Sequence, residues 1–93
     1  MPEIFSDVRW PDGSTESFYS PSLIVEEHFS AGAGYLVSEF VELSRTCMRI
    51  ADDRVRAKYG FGCAESKRTL ARIEVAATRF AGDAEVTLET FRR

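Results

Sequence analysis

From Ser38 to Tyr59 the chain holds one helical period with no glycine or proline inside it, and this stretch decides what the rest can be. At about 100° per residue, Phe40, Leu43, Cys47, Ile50, Ala51 and Val55 form an apolar arc flanked by Val41, Met48 and Tyr59. Glu42, Arg45, Arg49, Asp52, Asp53 and Arg56 take the other side, which predicts a solvated face with pairs such as Arg49 with Asp53 and Asp52 with Arg56. Ser38 is the expected N-cap, with Glu39 in the first turn where the helix dipole favours an acid. Gly60 is the expected left-handed stop, with Phe61 folded back onto the helix. A rod with one apolar side needs a surface to cover it.

The N-terminal segment supplies that surface. In EIFSDVRW, residues 3 to 10, Ile4, Val8 and Trp10 alternate with Phe5, Asp7 and Arg9, the period of a strand. Pro11, Asp12 and Gly13 fit a three-residue hairpin loop, because proline presets the first turn position and glycine accepts a positive φ. STESFYS then returns as the second strand, with Trp10 opposite Ser14, Val8 opposite Glu16 and Ser6 opposite Phe18. Phe5 and Tyr19 meet on the other face. Aromatics on both faces imply helices over one and a second subunit over the other.

Ser20 and Pro21 read as the cap and first residue of a short helix through LIVEEHF, ending near the AGAG of residues 31 to 34. GAG at residues 32 to 34 reads as a loop, since it lacks the third glycine of a dinucleotide fingerprint. A further helix is expected over residues 64 to 80, with Leu70, Ile73, Ala77 and Phe80 on one face and Gly82 as its stop. Residues 84 to 91 alternate as a last strand, Val86 and Leu88 inward. The order ββ(α)ααβ makes a single α+β domain, a small antiparallel sheet with two main helices on one face.

Charge adds one constraint. Residues 1 to 43 hold eight acids against one base, and residues 44 to 93 hold seven acids against eleven bases, so a net of −3 conceals −7 and +4. The simplest reading is that the two parts pack on each other. The overall sign argues against a general nucleic-acid binder, although residues 45 to 72 carry eight bases and three acids. No apolar run approaches the roughly 20 residues of a membrane span, and MPEIFSDVRW lacks a secretory pattern, so a cytoplasmic protein is expected. Cys47 and Cys63, too few for a disulfide framework, are read as free thiols.

Arg54 is the anomaly. The wheel that sends Arg49 and Arg56 to water puts Arg54 within the apolar arc, with Lys58 one turn later. A guanidinium aimed at a core must find a carboxylate, carbonyls or a bound anion, or else its stem lies on the core and its head reaches water. A ligand or partner contact is therefore expected at Arg54 and Lys58, together with Tyr19, Ser22 and Tyr59. Cys63, after two glycines near this cationic helix end, is the candidate nucleophile, and His28 is the one imidazole available to activate it. No serine elbow, HExxH, P-loop or spaced metal ligands appear, so neither a metal nor a cofactor is expected.

DVRWPDG, YSPS and RVRAKYGF followed by Cys63 resemble a family of small bacterial proteins named for a nitrogen starvation response. The likeness covers about the first two thirds of the chain and fades after Cys63. It implies a bacterial, cytoplasmic setting, a gene cluster containing a nitrilase, and a link to nitrogen or nitrile metabolism, with no assigned activity. The resulting expectation is a small accessory protein that forms a homodimer and binds a partner enzyme of its cluster or a small anionic ligand. A cysteine-dependent enzyme using Cys63 and His28 is the alternative, and a nucleic-acid-contacting regulator is a third.

Overall fold

The computed structural model describes residues 3–93. Its elements are β1 (Ile4–Arg9), β2 (Thr15–Ser20), α1 (Val25–His28), β3 (Gly34–Leu36), α2 (Val37–Tyr59), α3 (Ala64–Ala77) and β4 (Glu85–Arg92). The strands form one antiparallel sheet in the order β2-β1-β4-β3. This is the α+β architecture read from the sequence, with one strand more.

The hairpin follows its turn chemistry. The Trp10 N–H donates to the Ser14 carbonyl at 2.8 Å, and the Gly13 N–H donates back to the Trp10 carbonyl at 2.9 Å. Gly13 takes φ 88°, which a side chain would resist. Asp12 Oδ1 accepts both the Ser14 N–H, at 2.9 Å, and its hydroxyl, at 2.6 Å. The strand register is the expected one, Val8 opposite Glu16, Ser6 opposite Phe18 and Phe5 opposite Tyr19.

Ile4, Val8, Trp10, Phe18, Val86 and Leu88 point inward and are buried. They meet Phe40, Cys47, Met48 and Ala51 of α2 and Ile73 of α3. Trp10 stacks on Phe80 and meets the edges of Phe18 and Phe40, while its indole Nε1–H donates to Glu16 Oε1 at 2.8 Å. Burying an indole with its one donor satisfied makes it the centre of the core.

The loop expected at GAG holds for Gly32 and Ala33, and β3 begins at its last residue, Gly34. Gly34, Tyr35 and Leu36 pair with Thr87, Val86 and Glu85, an interaction set by β4 fifty residues away in sequence and not by local composition. α2 then starts two residues earlier than Ser38 as N-cap would have set it, with Leu36 in the cap position. Its first N–H groups are met by chain backbone, Val37 to Ala84 O at 2.9 Å and Ser38 to Gly82 O at 3.0 Å. Glu39 Oε1 accepts the Leu36 N–H at 3.0 Å, so the acid expected to favour the dipole also closes the first turn.

The short helix is shorter than expected. Ser20 still belongs to β2, and its hydroxyl donates to the Ser22 carbonyl at 2.7 Å. Ser22 Oγ accepts the Ile24 N–H at 3.2 Å in the turn that leads into α1, whose N-cap, Ile24, makes no side-chain cap bond. α3 ends at Ala77, with residues 78 to 80 in a turn. Its inner face includes Ser66 and Thr69 beside Ile73 and Ala76.

A bulge in β4 fixes the other face of the sheet. Asp7 faces Thr90 while Val8 faces Leu88, so Glu89 is the extra residue. The strand's inward set shifts with it, and Phe91 turns toward Ser6 while Arg92 emerges opposite Phe5. Arg92 lies over the Phe5 ring at 5.5 Å and binds both Asp7 oxygens, at 2.7 and 3.0 Å. The outer aromatics expected to meet a second subunit are thus partly covered by the chain itself.

Candidate functional site

Among the described residues, six salt bridges join an acid of the stretch up to residue 43 to a base of residues 44 to 93. The charge asymmetry of the sequence is therefore consumed largely within the fold. Of the eight bases between residues 45 and 72, Arg45, Arg54, Arg56, Arg68 and Arg72 form salt bridges. Arg49, Lys58 and Lys67 form none among the described residues, so the uncompensated positive charge concentrates at the C-terminal half of α2 and the first turn of α3. The pairing of Arg49 with Asp53 expected from spacing is not made; that of Arg56 with Asp52 is, at 3.0 Å.

Asp52 does more than decorate a wet face. Its side chain is only 15% exposed, and Oδ1 accepts the Cys63 backbone N–H at 2.7 Å, so a carboxylate of α2 caps the N-terminus of α3. That N–H and the Arg56 guanidinium hold its carboxyl below the usual carboxylate range. Gly62 permits the approach, because a Cβ there would lie 2.6 Å from Asp52 Oδ1 and 2.7 Å from Arg56 Nη2. Gly60 stops α2 in the left-handed region at φ 84°, its N–H bonded to Arg56 O at 2.8 Å. The stretch RVRAKYGFGC is thus a rigid corner locked by one carboxylate.

Two aromatics stand out from that corner. Phe61 does not fold back on α2: it is 68% exposed, and Tyr59 beside it is 52% exposed. Their rings lie 6.5 Å apart, and Lys58 Nζ sits 5.6 Å from the Tyr59 ring centre. With the left-handed stop and the Asp52 cap both satisfied by backbone groups, the turn holds without a contact from Phe61.

Arg54 resolves as a bridge to α1. Its side chain is 44% exposed; Nη1 donates to Ser22 Oγ at 2.8 Å, and Nη2 lies 3.9 Å from Glu27 Oε2. Its aliphatic stem leaves the apolar arc and its head reaches solvent, the second of the two outcomes open to it. Ser22, itself buried, is thereby tied to α2. The same arc contains Cys47, whose thiol is pushed up to about 12 by burial, with the Glu27 carboxylate adding to it.

Tyr19 lies near the end of β2, where α3 packs on that strand. Burial first, then the neighbouring Glu3 carboxylate, push the Tyr19 phenol up to about 12, with Cys63 and Glu65 contributing. The Tyr19 carbonyl accepts the Thr69 hydroxyl at 2.8 Å, which fastens α3 to the sheet edge. The cations expected beside Cys63 are engaged elsewhere, Arg54 with Ser22 and Glu27 and Lys58 over Tyr59. His28 turns Nδ1 to the Ile24 carbonyl at 3.3 Å, and no hydrogen bond joins it to Cys63 among the described residues. Among those residues no group of three or more His, Cys, Asp or Glu gathers as a metal site, and no helix is long and apolar enough to cross a membrane.

The concavities differ in kind. A cavity of about 20 Å³ lies under the sheet among Phe18, Phe29, Cys47 and Ile73, room for one water at most. A groove of about 190 Å³ runs between α2 and α3, bordered by Arg49, Asp52, Ser66 and Lys67.

Residues 5–91 match the family model described as nitrogen starvation-induced protein NitG, and the chain belongs to that family. The match passes Cys63 and takes in α3 and most of β4, so the likeness that the motifs carried over two thirds of the chain in fact spans nearly all of it. No curated protein and no solved structure matches the chain.

Proposed function

We propose that this member of the nitrogen starvation-induced family is a non-catalytic binding protein that docks on a partner protein through the corner between α2 and α3. The observation that carries the reading is the pair of exposed rings, Tyr59 and Phe61, on a turn fixed from behind by Asp52. Aromatic side chains on a rigid support give large contact area at little cost in lost freedom, which is why such residues dominate binding hot spots. Lys58, which forms no salt bridge among the described residues, lies 5.6 Å from the Tyr59 ring centre, so the complementary surface is an apolar pocket with an acid at its edge. The partner of choice is an enzyme encoded in the same gene cluster, and the family resemblance points to a nitrilase.

The test mixes the purified chain with that enzyme and follows complex formation by size-exclusion chromatography with light scattering. Tyr59→Ala and Phe61→Ala are each expected to weaken the complex at least tenfold while leaving thermal stability within a few degrees. Variants that bind as well as the parent would remove the corner from the interface. A second copy of the chain is the competing occupant. Light scattering of the chain alone at high micromolar concentration decides it, since a strict monomer leaves only the heterologous partner.

A further inference from the structure

We infer that the groove between α2 and α3 is a binding site for a small oxyanion, a phosphate or carboxylate group held by Arg49, Lys67 and Ser66. Three independent features converge there. The first is charge: the groove's other ionic residues are committed, Arg45 to Glu42 and Glu74, and Asp52 to Arg56 and the Cys63 N–H. Arg49 and Lys67 alone border it without a salt bridge among the described residues, one from each helix. Two like charges brought to one groove by separate helices repel, and an anion between them relieves that repulsion.

The second feature is Ser66. It is 1% exposed, borders the groove, and its hydroxyl has no hydrogen-bond partner, the one such side-chain atom found among the described residues. Buried polar groups are nearly always satisfied, so an orphan hydroxyl beside Arg49 and Lys67 marks a position for a missing acceptor, although Lys67 also feels the Asp52 carboxylate on the same groove. The third is the helix itself. Ser66 and Lys67 lie in the first turn of the fourteen-residue α3, near the positive end of its dipole, with the Lys67 N–H itself closed on the Cys63 carbonyl at 3.5 Å. Met48 and Leu70 supply apolar lining, and at about 190 Å³ the groove is smaller than the roughly 300–1,000 Å³ of pockets for larger ligands. This site lies on the α2–α3 flank and does not depend on the aromatic corner.

The experiment titrates the full ¹⁵N-labelled chain with inorganic phosphate and, separately, with succinate, at constant ionic strength, following the Ser66 and Lys67 amides and the Arg49 Nε–H. Saturable shifts confined to these groups with at least one anion are expected, and the anion that produces them identifies the headgroup. Arg49→Gln and Lys67→Gln, both at exposed positions, should each weaken binding about tenfold, as loss of a charge-assisted hydrogen bond does. Ser66→Ala should weaken it several-fold without unfolding the chain, while Arg68→Gln, paired with Glu65, should leave it unchanged. Shifts that stay linear with both anions, or an affinity indifferent to Arg49→Gln and Lys67→Gln, would overturn the site.

Discussion

Gly62→Ala tests whether the corner is held as the geometry indicates. The new methyl arrives 2.6 Å from Asp52 Oδ1 and 2.7 Å from Arg56 Nη2, well inside contact distance. The guanidinium is about half exposed and can swing into water at little cost. The carboxylate cannot, because it is mostly buried and fixed on the Cys63 N–H at 2.7 Å, so relief of the clash withdraws the cap from α3. Loss of an N-terminal cap costs about 1 kcal/mol and forced overpacking about 1–3 kcal/mol, which puts the expected loss for Gly62→Ala at about 2 kcal/mol.

For a chain of this length that loss lowers Tm by roughly 8–16 °C. Urea unfolding followed by the fluorescence of Trp10, the single tryptophan, should show a lower midpoint with an unchanged slope. The decisive measurement is the same substitution in an Asp52→Ala background. There the clashing oxygens are gone and the cap is already lost, so Gly62→Ala should cost little, a strong coupling between the two sites. Equal cost in both backgrounds would refute the mechanism.

Two further predictions concern the other candidate residues. Tyr19 is expected to ionise near pH 12, and Tyr19→Phe should delete that step from an absorbance titration. Because its folded value lies above its unfolded one near 10, the stabilisation is complete below pH 10 and is lost as pH rises toward 12, and the phenylalanine variant should not show that decline. Arg54→Gln should cost no more than about 1 kcal/mol, since its contact with Glu27 is long and exposed and Ser22 Oγ keeps the Ile24 N–H. A loss of several kcal/mol in urea unfolding would restore the guanidinium to a buried structural role.

What the sequence disclosed and what it hid divide along one physical line. The hairpin, the run of α2 and the inward set of β4 are written in periods and turn residues that act within a few positions, and these are where the fold agrees with expectation. β3 escaped because three residues containing a glycine have no period of their own; β4 supplies their hydrogen bonds from far along the chain. Asp52 escaped for the related reason that a helical wheel counts it as solvated, whereas Gly62 lets the following backbone cross directly over it. Phe61 failed in the opposite direction. A hydrophobic residue after a left-handed glycine normally covers the helix end, but here the Cys63 N–H finds Asp52 and the Gly60 N–H finds Arg56 O, so the turn needs no apolar cover. A large ring left in water where the fold has no use for it is the observation on which the proposed docking corner rests.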